Sequence, residues 1–537
     1  MTKTPNIEVW VWTCLSAALI ALHPVFQGPD ALQYFSVAEN ALAGHIGYTS
    51  LIHFDAERSF GVMPAPMVTF PLGYPLAIAL VSLLGLPVQS AAFAVSALST
   101  VACVPLLAWI ANQLGWSRML RNAAVATFVF NAAVIDYGAS AVSEALFTLV
   151  ILLGVTVLVA ARLDPDGGRW RWAAAGLAFG AAYFVRYAGL FVVLGLALVV
   201  IRHLLASNRG PAKGYAVAFS IASVIVLMGV ARNFLLVGNW RGGNEKIVSN
   251  PLLSLLVETA AAVKGLFVGA AFGTPWWISI ARALLLVSLV AGIGWLMWTR
   301  QRQREAHAHD DVVLKSIGID LLLLIVVYGG CMFYAGLTTV ISYGTRMFVP
   351  LLPLLILLIG LAAHSVLTTP AQPNASRTPA LLALGASLCF YVIVNVFLIL
   401  RPPPPYDPSS ITRIMIAPPV EEISAQSMVR SLSGPTGVIV ANNGQAVGHV
   451  LGRPTVSLVG PHYSAMEWNE KAVREAVHQF NAAAIVIYVP TAAESNNDDF
   501  VPSPFVRQLA QGDAPSWMKL VYRSNELLIY APRFASS

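Results

Sequence analysis

Residues 142–162 read VSEALFTLVILLGVTVLVAAR, with a glutamate near the start, an uncharged and mainly apolar stretch from Ala145 to Ala161, and an arginine at the end. A helix rises 1.5 Å per residue, so about twenty apolar residues match a hydrocarbon layer of about 30 Å. Val142 to Ala161 therefore reads as a membrane span with Glu144 at one mouth and Arg162 at the other. Ten more runs have the same character: Val9 to Phe26, Ala91 to Leu114, Asn122 to Tyr137, Trp172 to Val185, Ala188 to Leu205, Tyr215 to Val237, Trp276 to Trp298, Ser316 to Leu337, Met347 to Leu367 and Ala380 to Leu400. The expected fold class is an α-helical polytopic membrane protein with about eleven transmembrane helices. Pro71 to Leu86 is apolar but reads better as a re-entrant or surface-lying helix, because a crossing there would invert every later loop.

Composition agrees. Of 537 residues, 57% are hydrophobic and 11% charged, against roughly 25% charged in soluble domains. The net charge of +6 sits mainly in short gaps between apolar runs, the pattern of topology signals and not of a nucleic-acid face. Cys14, Cys103, Cys331 and Cys389 all lie within apolar runs, so neither a disulfide nor a cysteine metal site is expected.

The basic residues give the orientation. Lys3, Arg118, Arg121, Arg162, Arg169, Arg171, Arg202, Arg209, Lys213, Arg300, Arg302, Arg304, Lys315 and Arg377 fall in alternate gaps, and short cytoplasmic loops are the ones enriched in Lys and Arg. The N-terminus is then cytoplasmic in a bacterial inner, or plasma, membrane. Two large segments face outward: the first loop, 27–89, and the tail, 401–537. Residues 1–400 form the bundle with its first loop and surface helices, and 401–537 an extracytoplasmic α/β domain. Arg401-Pro402-Pro403-Pro404-Pro405-Tyr406 is an extended spacer between them. In the tail, strands are expected near 438–440, 456–459 and 484–488, a helix near 470–480, and a closing strand pair at 520–522 and 527–530. Asn442-Asn443-Gly444 reads as a turn.

The chemistry-bearing residues cluster on the outer face. Asp30 follows Gly28-Pro29 and opens a helix whose apolar positions 31, 34, 35, 38 and 42 make one greasy face, so the helix should lie flat on the membrane. Asp30 is suited to N-capping and, at a water-exposed bundle mouth, to general-base work. Glu144 beside a span is costly unless it faces a cavity or a partner; capping of the helix is its plainer role. Asp136, at the end of the third span, has a weaker claim. Arg186, Arg232 and Arg346 stand at outer helix ends against the charge bias, where one arginine could snorkel but three suit an anion site. His53, Asp55 and Glu57 could hold a hard cation, though in a solvated loop they read mostly as polar surface.

These residues resemble the GT-C superfamily of membrane glycosyltransferases, in the branch of protein O-mannosyltransferases and the lipid A aminoarabinose transferase. The resemblance is carried by Asp30 with Tyr34, the Pro71-Leu72-Gly73-Tyr74-Pro75 element, Ser143-Glu144, the Arg186-Tyr187-Ala188-Gly189 turn and the segment from Arg346 to Pro353. It implies catalytic roles for Asp30 and Glu144, and substrate binding by Tyr34, Tyr74, Arg186, Tyr187, Arg232 and Arg346. A divalent cation at Asp30 and Glu144 is an additional candidate, with no other cofactor expected. Members of the family often carry a lysine before the paired prolines of the first loop; residues 66–71 here read PMVTFP, so phosphate binding must rely on arginine or a cation.

The implied activity is transfer of a sugar, with inversion, from a polyprenyl-phosphate donor to an acceptor hydroxyl on the outer face. The partners are that donor, a glycan, lipid or protein acceptor, and membrane lipid. A polymerase or ligase using pyrophosphate-linked glycans would also want outer arginines, but the acid-bearing first loop argues against it. A transporter would place ionisable groups mid-membrane, where these runs are largely clean.

Overall fold

The computed structural model describes residues 7–23, 29–53, 59, 61–164, 167–240, 242, 249–268, 310–338, 344–368, 378–400, 423–434, 436–459, 467–490 and 501–533. The expected span from Trp276 to Trp298, the proline spacer, Asp55 and Glu57 lie outside these residues.

The helical part runs α1 (Ile7–Leu22), α2 (Pro29–Leu42), α3 (Gly73–Ser82), α4 (Val88–Gln113), α5 (Arg118–Val129), α6 (Ala132–Gly138), α7 (Glu144–Leu163), α8 (Trp170–Val185), α9 (Gly189–Leu205), α10 (Arg209–Val237), α11 (Leu252–Val268), α12 (Asp310–Thr338), α13 (Leu352–Thr368) and α14 (Thr378–Leu400). Among the described residues, four of these are long and apolar enough to cross a membrane: α4, α7, α10 and α12. The count becomes five if the bent pair α5 and α6 is one span. Among the described residues the expected runs at α1, α8, α9 and α13 are also helical but shorter, with 16, 16, 17 and 17 residues, and α14 is helical over 23. Pro71 to Leu86 yields only the ten residues of α3, about 15 Å of helix and half of what a crossing needs. Helix α11 was not expected, because Glu258 and Lys264 interrupt its apolar run.

The 56° bend between α5 and α6 has an identifiable cause. Asn131 caps α6, its side chain accepting from the Val134 amide, and donates through Nδ2 to the Leu266 carbonyl at 2.7 Å and the Tyr391 hydroxyl at 2.8 Å. Asn395 on α14 accepts from the Ala132 amide at 3.0 Å. A helix break within apolar surroundings persists only where freed backbone groups find such partners.

Close helix packing is set by small residues. Gly176 and Gly180 on α8 face Ala218 and Ala222 on α10; a Cβ at 176 would stand 2.5 Å from the Ala218 oxygen, and one at 180 would stand 3.2 Å from the Ala222 Cα. This is the small-xxx-small arrangement that lets membrane helices approach. Gly176→Leu is expected to lower stability by about 1–3 kcal/mol, the usual cost of overpacking. An unchanged unfolding midpoint in an SDS titration would contradict this contact.

Helix ends sort into two sets. At one end Glu8 of α1 pairs with Arg118 and Arg121 of α5. At that same bundle end Asp320 on α12 pairs with Arg202 and His203 of α9 and accepts from Tyr215 of α10, while Arg162 of α7 donates to Ser316. The opposite end carries the starts of α2, α3, α4 and α7 and the α8–α9 turn.

The C-terminal part contributes α15 (Ile423–Ser433), β4 (Ile439–Asn442), α16 (Gly444–Leu451), β5 (Thr455–Leu458), α17 (Glu470–Gln479), β6 (Ala484–Tyr488), α18 (Pro504–Gln511), β7 (Met518–Arg523) and β8 (Leu527–Pro532). The first loop adds β1 (Tyr48–Thr49), β2 (Leu51–Ile52) and β3 (Ala65–Pro66). A six-stranded sheet is ordered β2-β5-β4-β6-β8-β7, parallel from β2 to β6 and antiparallel through β8 and β7. Its central strands are buried at every position, as expected of parallel strands covered on both faces. Val440, Val456, Ile485 and Ile487 pack against α17 and α18, and Ile439, Ala441 and Val486 against α15 and α16. The edge strand β2 comes from the first loop, with the Thr455 amide donating to the Ser50 carbonyl at 2.8 Å. The loop and the tail thus share one sheet.

One expectation is corrected. Helix α2 does not lie on the surface with a polar face in water, since every residue from Ala31 to Ala38 is buried. Its polar side is occupied by β1 and the residue after it: Ser36 Oγ accepts from the Ser50 amide at 2.9 Å and from Thr49 Oγ1 at 3.1 Å, and Asn40 donates to Ser50 Oγ at 3.0 Å.

Candidate active site

The α8–α9 turn is where the site begins. Arg186 ends α8 in extended backbone, and the Gly189 amide returns to its carbonyl at 2.8 Å. Gly189 starts α9 so close to α8 that a Cβ would stand 2.3 Å from the Tyr183 nitrogen, so only glycine fits this turn. The tight turn aims the Arg186 guanidinium at the start of α7. There Nη1 reaches Glu144 Oε1 at 2.6 Å and Ser143 Oγ at 3.0 Å, and Nη2 reaches Met347 Sδ at 3.7 Å.

A second ion pair stands beside this one. Arg346, in the short 3-10 turn Thr345–Met347, contacts Asp30 Oδ2 through Nη1 at 3.1 Å. The two pairs differ in access: the Asp30 and Arg346 side chains are 31% and 34% exposed, and Glu144 is 2% exposed. Asp30 can meet a substrate and Glu144 cannot without rearrangement.

Tyr34 joins the pairs. One turn along α2 from Asp30, its hydroxyl lies 3.3 Å from Ser143 Oγ. Burial, with the Asp30 charge next, pushes its phenol up, so it stays protonated. Asp30 and Glu144 both act electrostatically on Arg346 and Arg186, so the four charges form one field.

The remaining expected residues support the site from outside it. The Tyr74 ring packs edge-on to Tyr34 with centroids 5.0 Å apart, and its hydroxyl is taken up by Ser96 Oγ at 2.9 Å and the Ala92 carbonyl at 3.1 Å. Tyr74 is therefore a prop for Tyr34 and is fully buried. Tyr187 donates to the Val68 carbonyl at 2.7 Å and accepts from Asn233 at 3.0 Å. Arg232 donates to the Met67 and Gly47 carbonyls at 3.0 and 3.3 Å, fastening the first loop instead of joining the two acids. Asp136 turns to His23 at 2.7 Å. Burial pushes the His53 imidazole down to about 3, so it is neutral at physiological pH.

Sequence reasoning assigned no site role to three contributors. Ser143 is the hub between Tyr34 and Arg186. Tyr137 lies within electrostatic reach of Glu144 and Arg346. Tyr328 on α12 donates to the Met347 carbonyl at 3.1 Å and so fixes the turn that bears Arg346. Only Ser143 left a trace in the sequence, through its place before Glu144.

Among the described residues no three His, Cys, Asp or Glu side chains converge as metal ligands. A cation bound between Asp30 and Glu144 would have to displace guanidinium contacts on both.

Residues 87–240 match the family model of dolichyl-phosphate-mannose-protein mannosyltransferases. That span runs from α4 to the end of α10 and includes Glu144, Arg186 and Arg232 but neither Asp30 nor Arg346. No curated protein matches the chain in sequence. Among solved structures, ArnT from Cupriavidus metallidurans bound to undecaprenyl phosphate is similar with a TM-score of 0.55 at 12% identity, over 99% of this chain and 98% of that one. The oligosaccharyltransferase AglB from Archaeoglobus fulgidus, in complex with an inhibitory peptide and a dolichol-phosphate, gives 0.54 at 12% identity over 94% and 71%. The mycobacterial arabinofuranosyltransferase AftD gives 0.53 at 16% identity, over 98% of this chain and 42% of that one. At these identities the likeness is one of fold, and the chain carries the fold of the GT-C membrane glycosyltransferases, resembling their protein mannosyltransferase and ArnT branch.

Proposed function

We propose that this protein transfers a sugar from a polyprenyl-phosphate donor to an acceptor hydroxyl, with inversion at the anomeric carbon. The observation that carries the reading is the pair of carboxylate–arginine couples at one bundle end, with Asp30 accessible and Glu144 enclosed. The match to the mannosyltransferase family, and the prenyl phosphates bound by ArnT and AglB, support the donor class. The first-loop end faces outward on this reading. On this reading α1, α4, α5 with α6, α7, α8, α9, α10, α12, α13 and α14 account for ten crossings, and the eleventh expected run, 276–298, lies outside the described residues.

In the reaction the acceptor oxygen attacks the anomeric carbon as the bond from that carbon to the phosphate oxygen breaks. The prenyl phosphate leaves with the bonding electron pair. Asp30 takes the acceptor proton. Arg346 and Arg186 stabilise the negative charge on the departing phosphate from preorganised positions. Glu144 and Ser143 hold the Arg186 fork in place. No step is routed through a cation.

The test is turnover by purified protein with a panel of polyprenyl-phosphate sugars, reading release of the prenyl phosphate and the glycosylated product. No turnover with any donor sinks the reading. Arg186→Lys should reduce kcat/KM about 10–100-fold, because an ammonium cannot reach Glu144, Ser143 and Met347 together, and one charged hydrogen bond is worth about 1.5–3 kcal/mol. Equal kinetics in the lysine variant would remove Arg186 from phosphate stabilisation.

A further inference from the structure

The connections leave the carboxyl end of β4 in a way the bundle chemistry does not use. From β4 the chain passes through α16 to β5 on one side, and from β5 through α17 to β6 on the other. The strand order therefore reverses at β4, and in open α/β sheets the crevice at such a reversal holds ligands.

The residues at this edge are unusual in what they leave unpaired. Asn442 is satisfied: it accepts from the Tyr488 amide at 2.7 Å and donates to the Tyr488 carbonyl at 3.0 Å, pinning β4 to β6. Asn443 next adopts the left-handed region at φ 50°, and α16 begins at Gly444. The first intrahelical bond runs from the Val447 amide to the Asn443 carbonyl, so the amides of 444 to 446 have no partner within the helix. Beneath them lies Ser457 of β5, 2% exposed, with an Oγ that makes no hydrogen bond. A Cβ on Gly444 would stand 2.5 Å from that Oγ, so the hydroxyl abuts the first helical residue. The buried Nδ2 of Asn443 is likewise unpaired. Two orphaned donors thus meet a helix N-terminus, and buried polar groups are seldom left so without a ligand to serve.

We infer that the N-terminus of α16, with Ser457 and Asn443, is a second binding site, selective for an oxyanion such as a phosphate or carboxylate group. Helix N-terminal amides and the dipole favour that charge, and the two orphans are donors. The site sits against the bundle. Ala446 and Tyr488 belong to the apolar cluster that includes Ala31, Leu32 and Phe35 of α2. His449 of α16 packs on Phe35 at 5.8 Å and shares a hydrogen bond with Gln89 at 2.8 Å. Phe35 and Asp30 lie within about one and a half turns of each other on α2. On the transferase reading, on which this role alone rests, the site would hold an anionic group of the acceptor whose hydroxyl reaches Asp30.

Inorganic phosphate is the probe, with the full-length protein in detergent at constant ionic strength. Because Arg186 and Arg346 also suit phosphate, the quantity read is the difference between wild type and the pair Ser457→Ala and Asn443→Gly. Serine to alanine removes only the orphaned hydroxyl, and glycine keeps the left-handed backbone, so both variants fold. The expected result is a melting-temperature rise with phosphate in the wild type that the double variant loses in part, with a fivefold or greater loss of apparent affinity. The same rise in both proteins, or none in wild type, overturns the site. Loss of phosphate binding in the double variant of a protein that turns over no lipid-linked sugar would keep the site and remove the transferase reading instead.

Discussion

Asp30→Asn is expected to lower the turnover of a lipid-linked sugar by about 10²–10⁴-fold, the usual contribution of a positioned general base, with little change in donor KM. The amide has the shape of the carboxylate and still offers an oxygen to Arg346 Nη1, which stands 3.1 Å from Asp30 Oδ2. Donor binding by Arg346 should therefore survive. What is lost is the ability to accept a proton from the attacking hydroxyl, an effect on kcat. The residue's position supports a chemical role: a carboxylate 31% exposed, beside the 34% exposed Arg346 and in front of the enclosed Glu144, is reachable by a substrate. Stability should change little, since the Asp30–Arg346 pair is partly solvated and such pairs contribute about 0–1 kcal/mol. The decisive comparison is kcat for the variant against wild type at saturating donor. Full activity would take Asp30 out of the chemistry, and an equal loss in KM alone would make it a binding residue.

Hydropathy and sidedness made much of this legible, and the limits have physical causes. The long apolar runs show in the sequence because spanning depends on local composition: the expected boundaries fall within about three residues of α4 and α7, while α10 starts at Arg209, ahead of the expected Tyr215. Asp30, Glu144, Arg186 and Arg346 were legible because an ionisable residue at the end of an apolar run is costly and hence conspicuous. Which arginine serves which acid was not, since Arg346 is 316 residues from Asp30. Tyr74 looked like a substrate contact from its motif, but its hydroxyl is spent on Ser96 of α4, a pairing no local pattern reveals. The burial of α2 escaped notice for a related reason. Its polar face is covered by Thr49 and Ser50, themselves polar, and hydropathy cannot recognise a face buried by hydrogen bonding. Likewise β2 is two residues long, too short for a strand signal, yet it completes the sheet edge beside β5.

The largest stability effect is expected far from the acids. Asp320 on α12 is 2% exposed and pairs with Arg202 and with His203 at 3.2 Å, while Tyr215 donates to it at 2.6 Å. Ser316, one turn earlier, takes the guanidinium of Arg162 at 3.0 Å and that of Arg202 at 3.2 Å. One carboxylate thereby ties α9, α10 and α12 together, with α7 joined through Ser316. Asp320→Ala leaves Arg202 without its buried anion and takes the partner from His203 and the acceptor from Tyr215, and removing one partner of a buried pair costs about 3–5 kcal/mol. That loss should appear as a lowered SDS-unfolding midpoint. Asp320→Asn keeps an acceptor for Tyr215 but not the charge, so it should fall between the alanine variant and wild type. The consequence for the site is indirect. α7 and α9 begin at Glu144 and just after Arg186, and α12 carries Tyr328, which fixes the Arg346 turn. Twenty residues of α7 put about 30 Å between the two ends. Below its melting temperature the alanine variant should therefore keep a near-normal kcat, while the temperature at which activity collapses moves down. A midpoint within about 1 kcal/mol of wild type would mean that the bundle does not depend on the buried pair, contrary to the cost such pairs carry when broken.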